Sequence, residues 1–341
     1  IIESKLKSDN IDWDSVVKVS TGHFVFPALY CNLKRANFLQ YLPEELVNYM
    51  IHITDLNRER NKKIIDQAKE INELLLNNNI TPIFLKGTGN LLEGLYDDIA
   101  ERMVGDIDLI VKQEDFKKTI NILKEENYSA KNETYMDFHW HYPKMVNKTR
   151  IAAVEVHNKV LKKPYTYFLD YQTLKEDSFI INNYYIPSYE NQSFISVLQK
   201  QINDNLYFSK TTPLRTVYDS FLLSLNIQNK KRIIENKKIS KYFNNYKNCA
   251  AEILNFPSKI TFKKDKEAVK YLNSYFRILK SSKTEIKKVK LINSYIKLRD
   301  KLKILQYSFT DKEYSSYTFR RFKNINFYLK HLGLKKPKQD S

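Results

Sequence analysis

Glycine and proline are scarce in this chain of 341 residues, which contains 6 glycines and 9 prolines. A sequence with so few turn-forming residues is a poor candidate for a β-sandwich built from many short strands. No uninterrupted apolar run reaches the roughly 18 residues that a membrane-spanning helix needs. The composition therefore argues against a turn-rich all-β protein and against a transmembrane protein, and it favours helices.

Cysteine is almost as rare. Cys31 and Cys249 are too few for a disulfide scaffold or a structural zinc cluster. The first residues show no basic segment followed by an apolar run, so no secretory signal is apparent. We expect two buried thiols in a cytoplasmic protein.

Hydrophobic residues are plentiful by comparison. They make up 42% of the chain, and aromatic residues make up 13%. This is enough for well-packed cores and too much for a disordered chain. The length exceeds that of one average domain, so we expect two or three structural units.

Positive charge is concentrated in the C-terminal third. Residues 230–341 hold 30 basic and 9 acidic side chains, a net charge of +21, whereas the rest of the chain carries −3. A codon bias towards lysine would spread the charge more evenly. The region is open to three interpretations: a surface for tRNA or another RNA, a basic amphipathic helix over residues 317–334 on an anionic membrane, or ordinary solvated helices.

The secondary-structure pattern divides the chain into three regions. Residues 1–80 read as helical, with the clearest helical periodicity over residues 61–76. Residues 81–186 alternate between apolar strands at 81–85, 106–111 and 151–157 and helices between them, which is typical of a compact α/β core. Residues 187–341 return to a helical pattern and carry the basic charge.

A short glycine turn follows the first of these strands. Lys86-Gly87-Thr88 stands where a strand ends and a helix begins. Glycine lets the backbone approach a phosphate closely, and the N–H groups of a first helical turn point towards such an anion. Thr88 adds a hydroxyl donor, so the turn is a candidate phosphate site.

Three acids stand on the later strands. Asp106 and Asp108 lie two residues apart and so share one face of a strand, where like charges are costly unless a cation lies between them. Glu155 stands among aliphatic residues of another strand and needs a partner. Oxygen ligands of this kind suit Mg²⁺ or Mn²⁺, and we expect the three carboxylates to converge within about 4–6 Å.

Histidines near these acids suggest an alternative metal. His139, His141 and His157 have the ligand types of a zinc site with three histidines. Asp106 and Asp108 explain a site for a hard cation better. His141 and His157 are therefore expected either to flank the carboxylates or to fill the core.

Taken in order along the chain, these features resemble the bacterial uncharacterised nucleotidyltransferase family of the DNA polymerase β superfamily. The resemblance covers about residues 10–225. It rests on Leu85-Lys86-Gly87, Arg102, the Asp106-Ile107-Asp108-Leu109-Ile110-Val111 strand, His141 and Val154-Glu155-Val156-His157, and also on residues 11–14, 57–61 and 214–219. The wider superfamily has Gly-Gly or Gly-Ser where this chain has Gly87-Thr88.

The resemblance implies a fold and a set of roles. The fold would be an α/β (α+β) nucleotidyltransferase core with a small mixed sheet, flanked by N-terminal and C-terminal helical regions. The activity would be transfer of NMP from an NTP to a hydroxyl, with two Mg²⁺ or Mn²⁺ ions held by Asp106, Asp108 and Glu155, and with Glu155 also able to accept a proton. Lys86, Gly87, Thr88 and Arg102 would bind the phosphates. Arg58 and Arg60 face either the nucleotide or solvent.

Other functions stay open at this point. Lys86 before the glycine is similar to the Lys-Gly-Gly of abortive-infection toxins, which suggests a toxin-like or protein-modifying enzyme. An Asp-x-Asp glycosyltransferase would leave Lys86 and Glu155 without roles, and a non-catalytic nucleic-acid-binding protein would not need Asp108. We expect Asp108→Asn to abolish transfer and to leave stability unchanged or raised.

Overall fold

The computed structural model describes residues 2–8, 11–130, 139–227, 237–254, 265–280 and 283–322. The chain divides into two compact units, Ile1–Lys131 with Trp140–Lys280 and Asn132–His139 with Ser281–Ser341. The divisions predicted at residues 80 and 186 follow changes in secondary structure and do not coincide with this division. Part of the predicted membrane helix, residues 323–334, lies outside the described residues.

Helices account for most of the described chain. They are α1 (Ile2–Leu6), α2 (Trp13–Gly22), α3 (Phe26–Arg35), α4 (Glu44–Asn77), α5 (Lys86–Leu92), α6 (Phe116–Glu125), α7 (Tyr171–Glu176), α8 (Tyr189–Leu198), α9 (Leu206–Ser209), α10 (Leu214–Asn226), α11 (Lys237–Leu254), α12 (Lys266–Leu279), α13 (Lys283–Tyr307) and α14 (Lys312–Phe322). Short 3₁₀ helices lie at Leu39–Tyr41 and Ile99–Glu101, and a π-helical turn at Gln199–Asn203 continues α8.

The strands form one mixed sheet in the described residues. They are β1 (Ile83–Leu85), β2 (Asp106–Ile110), β3 (Ser129–Ala130), β4 (Met145–Val146), β5 (Ala153–His157), β6 (Ser178–Ile181) and β7 (Tyr184–Pro187). Their order is β3-β4-β5-β2-β1-β7-β6. β2 pairs with β5 in parallel and with β1 antiparallel, and β1 pairs with β7 in parallel. The predicted α+β fold with a small mixed sheet is confirmed.

The strands that the sequence predicts, β1, β2 and β5, are adjacent at the centre of the sheet. Their aliphatic side chains are buried, which explains their clear apolar signal. The β6–β7 hairpin was missed, although Asn182 and Asn183 mark its turn. Both residues have positive φ, 48° and 66°, as two-residue hairpin loops require, and asparagine tolerates that conformation.

The long helix α4 supports the segment that leads into β2. It begins after Pro43. Glu44 and Glu45 lie in its first turn, where their negative charges interact favourably with the positive end of the helix dipole. Midway along it, the buried Asn57 donates to the carbonyl of Ala100, and the buried Asn61 donates to the carbonyls of Ile99 and Arg102. These bonds satisfy a buried backbone that lies outside the sheet and so fix where β2 begins.

A large apolar core of the first unit joins the sheet to helices from the C-terminal half. Ile83 of β1 and Ile110 of β2 belong to one buried cluster with Phe194 of α8, Val217 of α10 and Phe243 of α11. The central strands are therefore stabilised by helices more than 80 residues away in the sequence.

Candidate active site

Two central strands carry the acids that the sequence singles out. β2 and β5 run parallel with Asp108 opposite Glu155, and Asp106 precedes Asp108 by the two-residue period of one strand face. Asp108 is 7% exposed and Glu155 is 8% exposed, whereas Asp106 is partly exposed. The pairing of the two strands brings the three carboxylates together.

Two lysine ammonium groups lie between these carboxylates. Lys144 Nζ lies 2.5 Å from Asp106 Oδ2 and 3.4 Å from Glu155 Oε1. Lys86 Nζ lies 2.7 Å from Asp108 Oδ1 and 3.8 Å from Glu155 Oε2. Glu155 is thus shared by two cations, and the repulsion expected among three crowded acids is offset. Lys144 is a site residue that the sequence did not predict, because it stands in a loop before β4 outside any recognised motif.

His157 lies beneath the carboxylates on β5. The ring is fully buried, and its Nε2 lies 2.9 Å from Asp108 Oδ1 and 3.7 Å from Glu155 Oε2. Nδ1 is buried without a hydrogen-bond partner in the described structure, so we assign the proton to Nε2, which donates to Asp108. His157 therefore orients Asp108.

His141 packs against His157 with the two rings tilted by 52°, and it does not complete a three-histidine site. The two ring centroids are 5.1 Å apart, and His141 Nδ1 lies 2.7 Å from the carbonyl oxygen of Tyr142. Within the residues that the structure describes, the one metal-capable group found is Asp108, Glu155 and His157, whose ligand atoms lie within 4.8 Å of one another. The zinc alternative with His139 is not supported.

Burial and neighbouring charges shift the pKa values of Glu155, Lys86 and Asp106. Burial opposes ionisation of Glu155, but the nearby imidazole of His157 and the charge of Lys86 outweigh it and hold the pKa of Glu155 well below its usual range. Burial also opposes the charged form of Lys86, yet Asp108 and Glu155 raise its pKa. Asp106 differs, since burial raises its pKa despite the hydrogen bond from Lys144. Glu155 is therefore held as an anion in this arrangement.

A cavity of about 540 Å³ opens in front of the cluster. Its walls come from α4, from the segment before β2, from the end of α8 with its π-helical turn, and from α10. A π-helical turn is rare and is often found at functional sites. The lining residues include Phe24, Asn57, Arg60, Lys86, Gly87, Arg102, Asp106, Asp108, Trp140, His141, Lys144, Glu155, Gln199, Lys200, Asn203, Arg215 and Asp219.

The comparison with protein families decides the identity of the chain. The model of a family described as uncharacterised nucleotidyltransferase matches residues 9–244, which is more than half of the chain. The chain belongs to this family. No curated protein and no solved structure matches it. The resemblance that the motifs indicated is confirmed.

The glycine turn of this nucleotidyltransferase is only partly as expected. Lys86 adopts φ 56°, a left-handed conformation that few residues other than glycine adopt, and its side chain enters the cavity. Gly87 also lines the cavity, and a Cβ there would meet Val104 Cγ2 at 2.9 Å. Thr88 is buried, and its hydroxyl donates to the carbonyl of Asp106 at 3.0 Å. The only hydroxyl hydrogen of Thr88 is thus used within the fold, and its predicted role as a phosphate donor is not supported.

Arg102 of the nucleotidyltransferase lines the cavity in a buried ion pair. Its Nε lies 3.0 Å from both carboxylate oxygens of Asp219, and the hydroxyl of Tyr96 donates to the same carboxylate. Asp219 therefore neutralises the positive charge of Arg102, which was predicted to bind phosphate. The guanidinium also lies against Gly87, since a Cβ on that glycine would be 3.3 Å from Arg102 Nη2. Arg102 therefore shapes the turn.

The two arginines of the lead-in helix have different roles. Arg58 pairs with Asp98 and Asp55 and does not line the cavity, whereas Arg60 does. No helix among the described residues of the nucleotidyltransferase is both long enough and apolar enough to cross a membrane.

Proposed function

We propose that the protein transfers a nucleoside monophosphate from an NTP to a hydroxyl acceptor, with release of pyrophosphate and dependence on Mg²⁺ or Mn²⁺. The observation that carries the proposal is the meeting of Asp106, Asp108 and Glu155 on two paired strands at the floor of a cavity. Membership of a nucleotidyltransferase family supports the same reaction class.

The donor set fits hard divalent cations. Carboxylate oxygens are the ligands that Mg²⁺ prefers, and two ammonium groups already lie where the three carboxylates attract positive charge. We assign Asp106, Asp108 and Glu155 as the ligands, and His157 as the residue that holds Asp108 in orientation. When bound, two such cations would favour ionisation of the acceptor hydroxyl and neutralise the departing pyrophosphate.

The side chains of the chain itself have distinct parts in this reaction. The acceptor oxygen forms a bond to the α-phosphorus, the bond from that phosphorus to the bridging oxygen breaks, and its electron pair leaves with pyrophosphate. Lys86 and Lys144 are protonated donors at the floor of the cavity and stabilise negative charge on the phosphates. We assign Glu155 to cation binding, because its carboxylate lies near the ammonium groups of both Lys86 and Lys144, and the hydroxyl proton passes to solvent.

The test is transfer of label from each of four α-labelled NTPs, with Mg²⁺, to cell RNA or to protein in a lysate. We expect Asp108→Asn and an excess of EDTA each to abolish transfer, and Asp66→Asn, an exposed acid of α4, to leave it unchanged. Undiminished transfer by folded Asp108→Asn would move the chemistry to another site.

The contacts of Asp108 lead us to expect a different stability for the same variant. The sequence alone suggests that removing one of two crowded acids is neutral or stabilising. Asp108 instead accepts hydrogen bonds from Lys86 and His157. Because Asp108→Asn leaves the Lys86 ammonium with only Glu155, we expect a loss of about 1–3 kcal/mol in the free energy of unfolding. A melting curve measured beside the transfer assay checks this.

A further inference from the structure

Three arginines converge on one short backbone segment in the wall of the cavity. Arg102 Nη1 and Arg215 Nη1 donate to the carbonyl of Met103, at 2.8 Å and 3.1 Å, and Arg60 Nε donates to the next carbonyl, that of Val104, at 3.3 Å. They come from three places in the sequence: Arg60 from α4, Arg102 from the segment before β2 and Arg215 from α10. Two consecutive carbonyls thus hold three guanidinium groups beside Gly87 and the carboxylates.

Two of these arginines form no ion pair with an acid of the described residues. Arg102 pairs with Asp219, whereas Arg60 and Arg215 form no ion pair within the described part of the chain. The other arginines of residues 11–227 are each paired with acids: Arg35, Arg58 and Arg150. Burial lowers the pKa of Arg215 to about 10, and the neighbouring charge of Arg102 contributes to the shift. The charges of Asp219 and Asp108 act in the opposite direction without compensating for burial. A partly buried guanidinium with no direct ion pair among the described residues is costly, and an anionic ligand would reduce that cost.

Arg215 is held towards the cavity by an unusual aromatic contact. Its guanidinium carbon lies 5.0 Å from the ring centroid of Phe24, a side chain that is 49% exposed at the cavity. Phe24 has φ 57°, which a residue with a bulky side chain rarely adopts. The adjoining His23 accepts a hydrogen bond from the backbone of Leu214, next to Arg215, so the two segments are tied together.

The chemistry of the wall selects a ligand with more than one anionic group. A guanidinium presents a planar fork of N–H donors that matches phosphate oxygens, and Arg60 and Arg215 keep donors beyond the one that each gives to backbone. A single carboxylate would satisfy one fork. The guanidinium groups of Arg60 and Arg215 are held by two consecutive carbonyls beside Lys86 and Gly87. Each can bind one phosphate of a chain of linked phosphates.

We propose that Arg60 and Arg215 form a clamp for the polyphosphate tail of the nucleotide, with Phe24 as the residue that positions Arg215. The inference rests on the proposed function, because it names the part of the cavity that receives the leaving pyrophosphate. Arg60 and Arg215 would hold the β- and γ-phosphates and stabilise the charge that collects there as the bond to the α-phosphorus breaks.

The test is calorimetric binding of inorganic tripolyphosphate to the full chain in EDTA, so that no metal takes part. We expect Arg60→Gln and Arg215→Gln each to weaken binding about tenfold or more, which is the usual loss for a hydrogen bond to a charged group. Arg58→Gln is the matched control on the same helix, since Arg58 is paired with acids and lies outside the cavity; its affinity should stay within about threefold. Melting curves confirm that each variant is folded.

Phe24 is tested by non-additivity. If its role is to position Arg215, Phe24→Ala weakens tripolyphosphate binding in the wild-type background and has no further effect in Arg215→Gln. Equal losses in both backgrounds would overturn the positioning role. Wild-type affinity should also fall in the order tripolyphosphate, pyrophosphate, phosphate, because a ligand with fewer phosphates contacts fewer guanidinium groups.

Failure of the clamp and failure of the reaction give different results. Unchanged tripolyphosphate binding in Arg60→Gln and Arg215→Gln, or no binding by the wild type at millimolar concentration, overturns the clamp even if nucleotide transfer is observed. Loss of binding in both variants supports the clamp even if no NTP is consumed, and the proposed function alone would then fall.

Discussion

Glu93 is a single carboxylate that the fold partly buries. It follows the last residue of α5, and one of its oxygens accepts a hydrogen bond of 2.7 Å from Gln192 of α8. The other oxygen, Oε1, is buried with no partner in the described structure. Burial raises the pKa of Glu93 to about 8, although the hydrogen bond from Gln192 favours the anion. The nucleotidyltransferase therefore contains a carboxyl group that stays protonated at neutral pH.

This carboxyl group predicts how stability depends on pH. Between the ordinary pKa of 4.5 and the folded value of about 8, the folded state holds a proton that the unfolded state has lost, so the free energy of unfolding falls as the pH rises. Glu93→Gln removes the buried charge. We expect the variant to be more stable than the wild type at pH 9, by about 1–3 kcal/mol, and the difference to shrink towards pH 5.

Thermal melts of both proteins from pH 5 to pH 9 measure this difference. Glu125→Gln is the control, since Glu125 is an exposed glutamate of α6. A gap between wild type and Glu93→Gln that does not change with pH would show that Glu93 is ionised throughout.

Among the elements, the junction between β1 and α5 leaves no room for a side chain at Gly89. A Cβ on Gly89 would lie 2.7 Å from the carbonyl oxygen of Phe84, closer than real contacts allow. That carbonyl belongs to a strand fixed by its pairing with β2, so it cannot move aside as a flexible side chain would. Gly89 is thus required for α5 to pack against β1, the strand that precedes it.

We expect Gly89→Ala to lower the free energy of unfolding by about 2 kcal/mol or more, within the upper range for overpacking, or to prevent folding. Gly22→Ala is the matched control: Gly22 is helical, a Cβ added there would meet no heavy atom within 4 Å, and the variant should be unchanged or slightly stabilised. Urea or thermal unfolding measures both. Equal midpoints for the two variants would mean that the β1–α5 junction adjusts.

The central elements could be predicted from the sequence because their signals are local. The two-residue period of β2 places Asp106 and Asp108 on one face, and an acid within an aliphatic strand marks Glu155. The basic residues around the site could not be predicted in the same way. Lys144 comes from a loop, and Arg215 comes from α10, more than 100 residues beyond β2. Their positions beside the site depend on the tertiary fold, and no local sequence pattern predicts them.

At the scale of the whole molecule, the division between core and basic region lies later than the charge suggests. Positive charge begins at about residue 230, yet α11 contributes Ile239, Tyr242, Phe243 and Tyr246 to the core that contains β1 and β2. The family match also extends into α11, to residue 244. A chain ending near residue 228 would lose part of the core, so it cannot test what the basic region binds.

The basic region is better tested by changing charges in the full chain. We predict that it captures an RNA acceptor for the nucleotidyltransferase. α13 carries the exposed lysines Lys287, Lys290, Lys297 and Lys301. Replacing these four by glutamine should weaken tRNA binding and reduce the slope of log affinity against log salt, by about 0.7–0.9 for each phosphate contact that is lost. Electrophoretic or fluorescence titrations at several salt concentrations measure both quantities.

The control for this last prediction must remove the same charge elsewhere. Lys18, Lys34, Lys112 and Lys117 are exposed lysines of the first unit, and their replacement by glutamine lowers the net charge of +18 by the same amount. If RNA binds the basic region, the α13 variant loses affinity and the control keeps it, because contact with phosphate depends on where the charge lies. Equal losses in the two variants would mean that RNA responds only to net charge. Unchanged RNA binding, together with loss of binding to anionic liposomes by the α13 variant, would assign the region to a membrane surface instead.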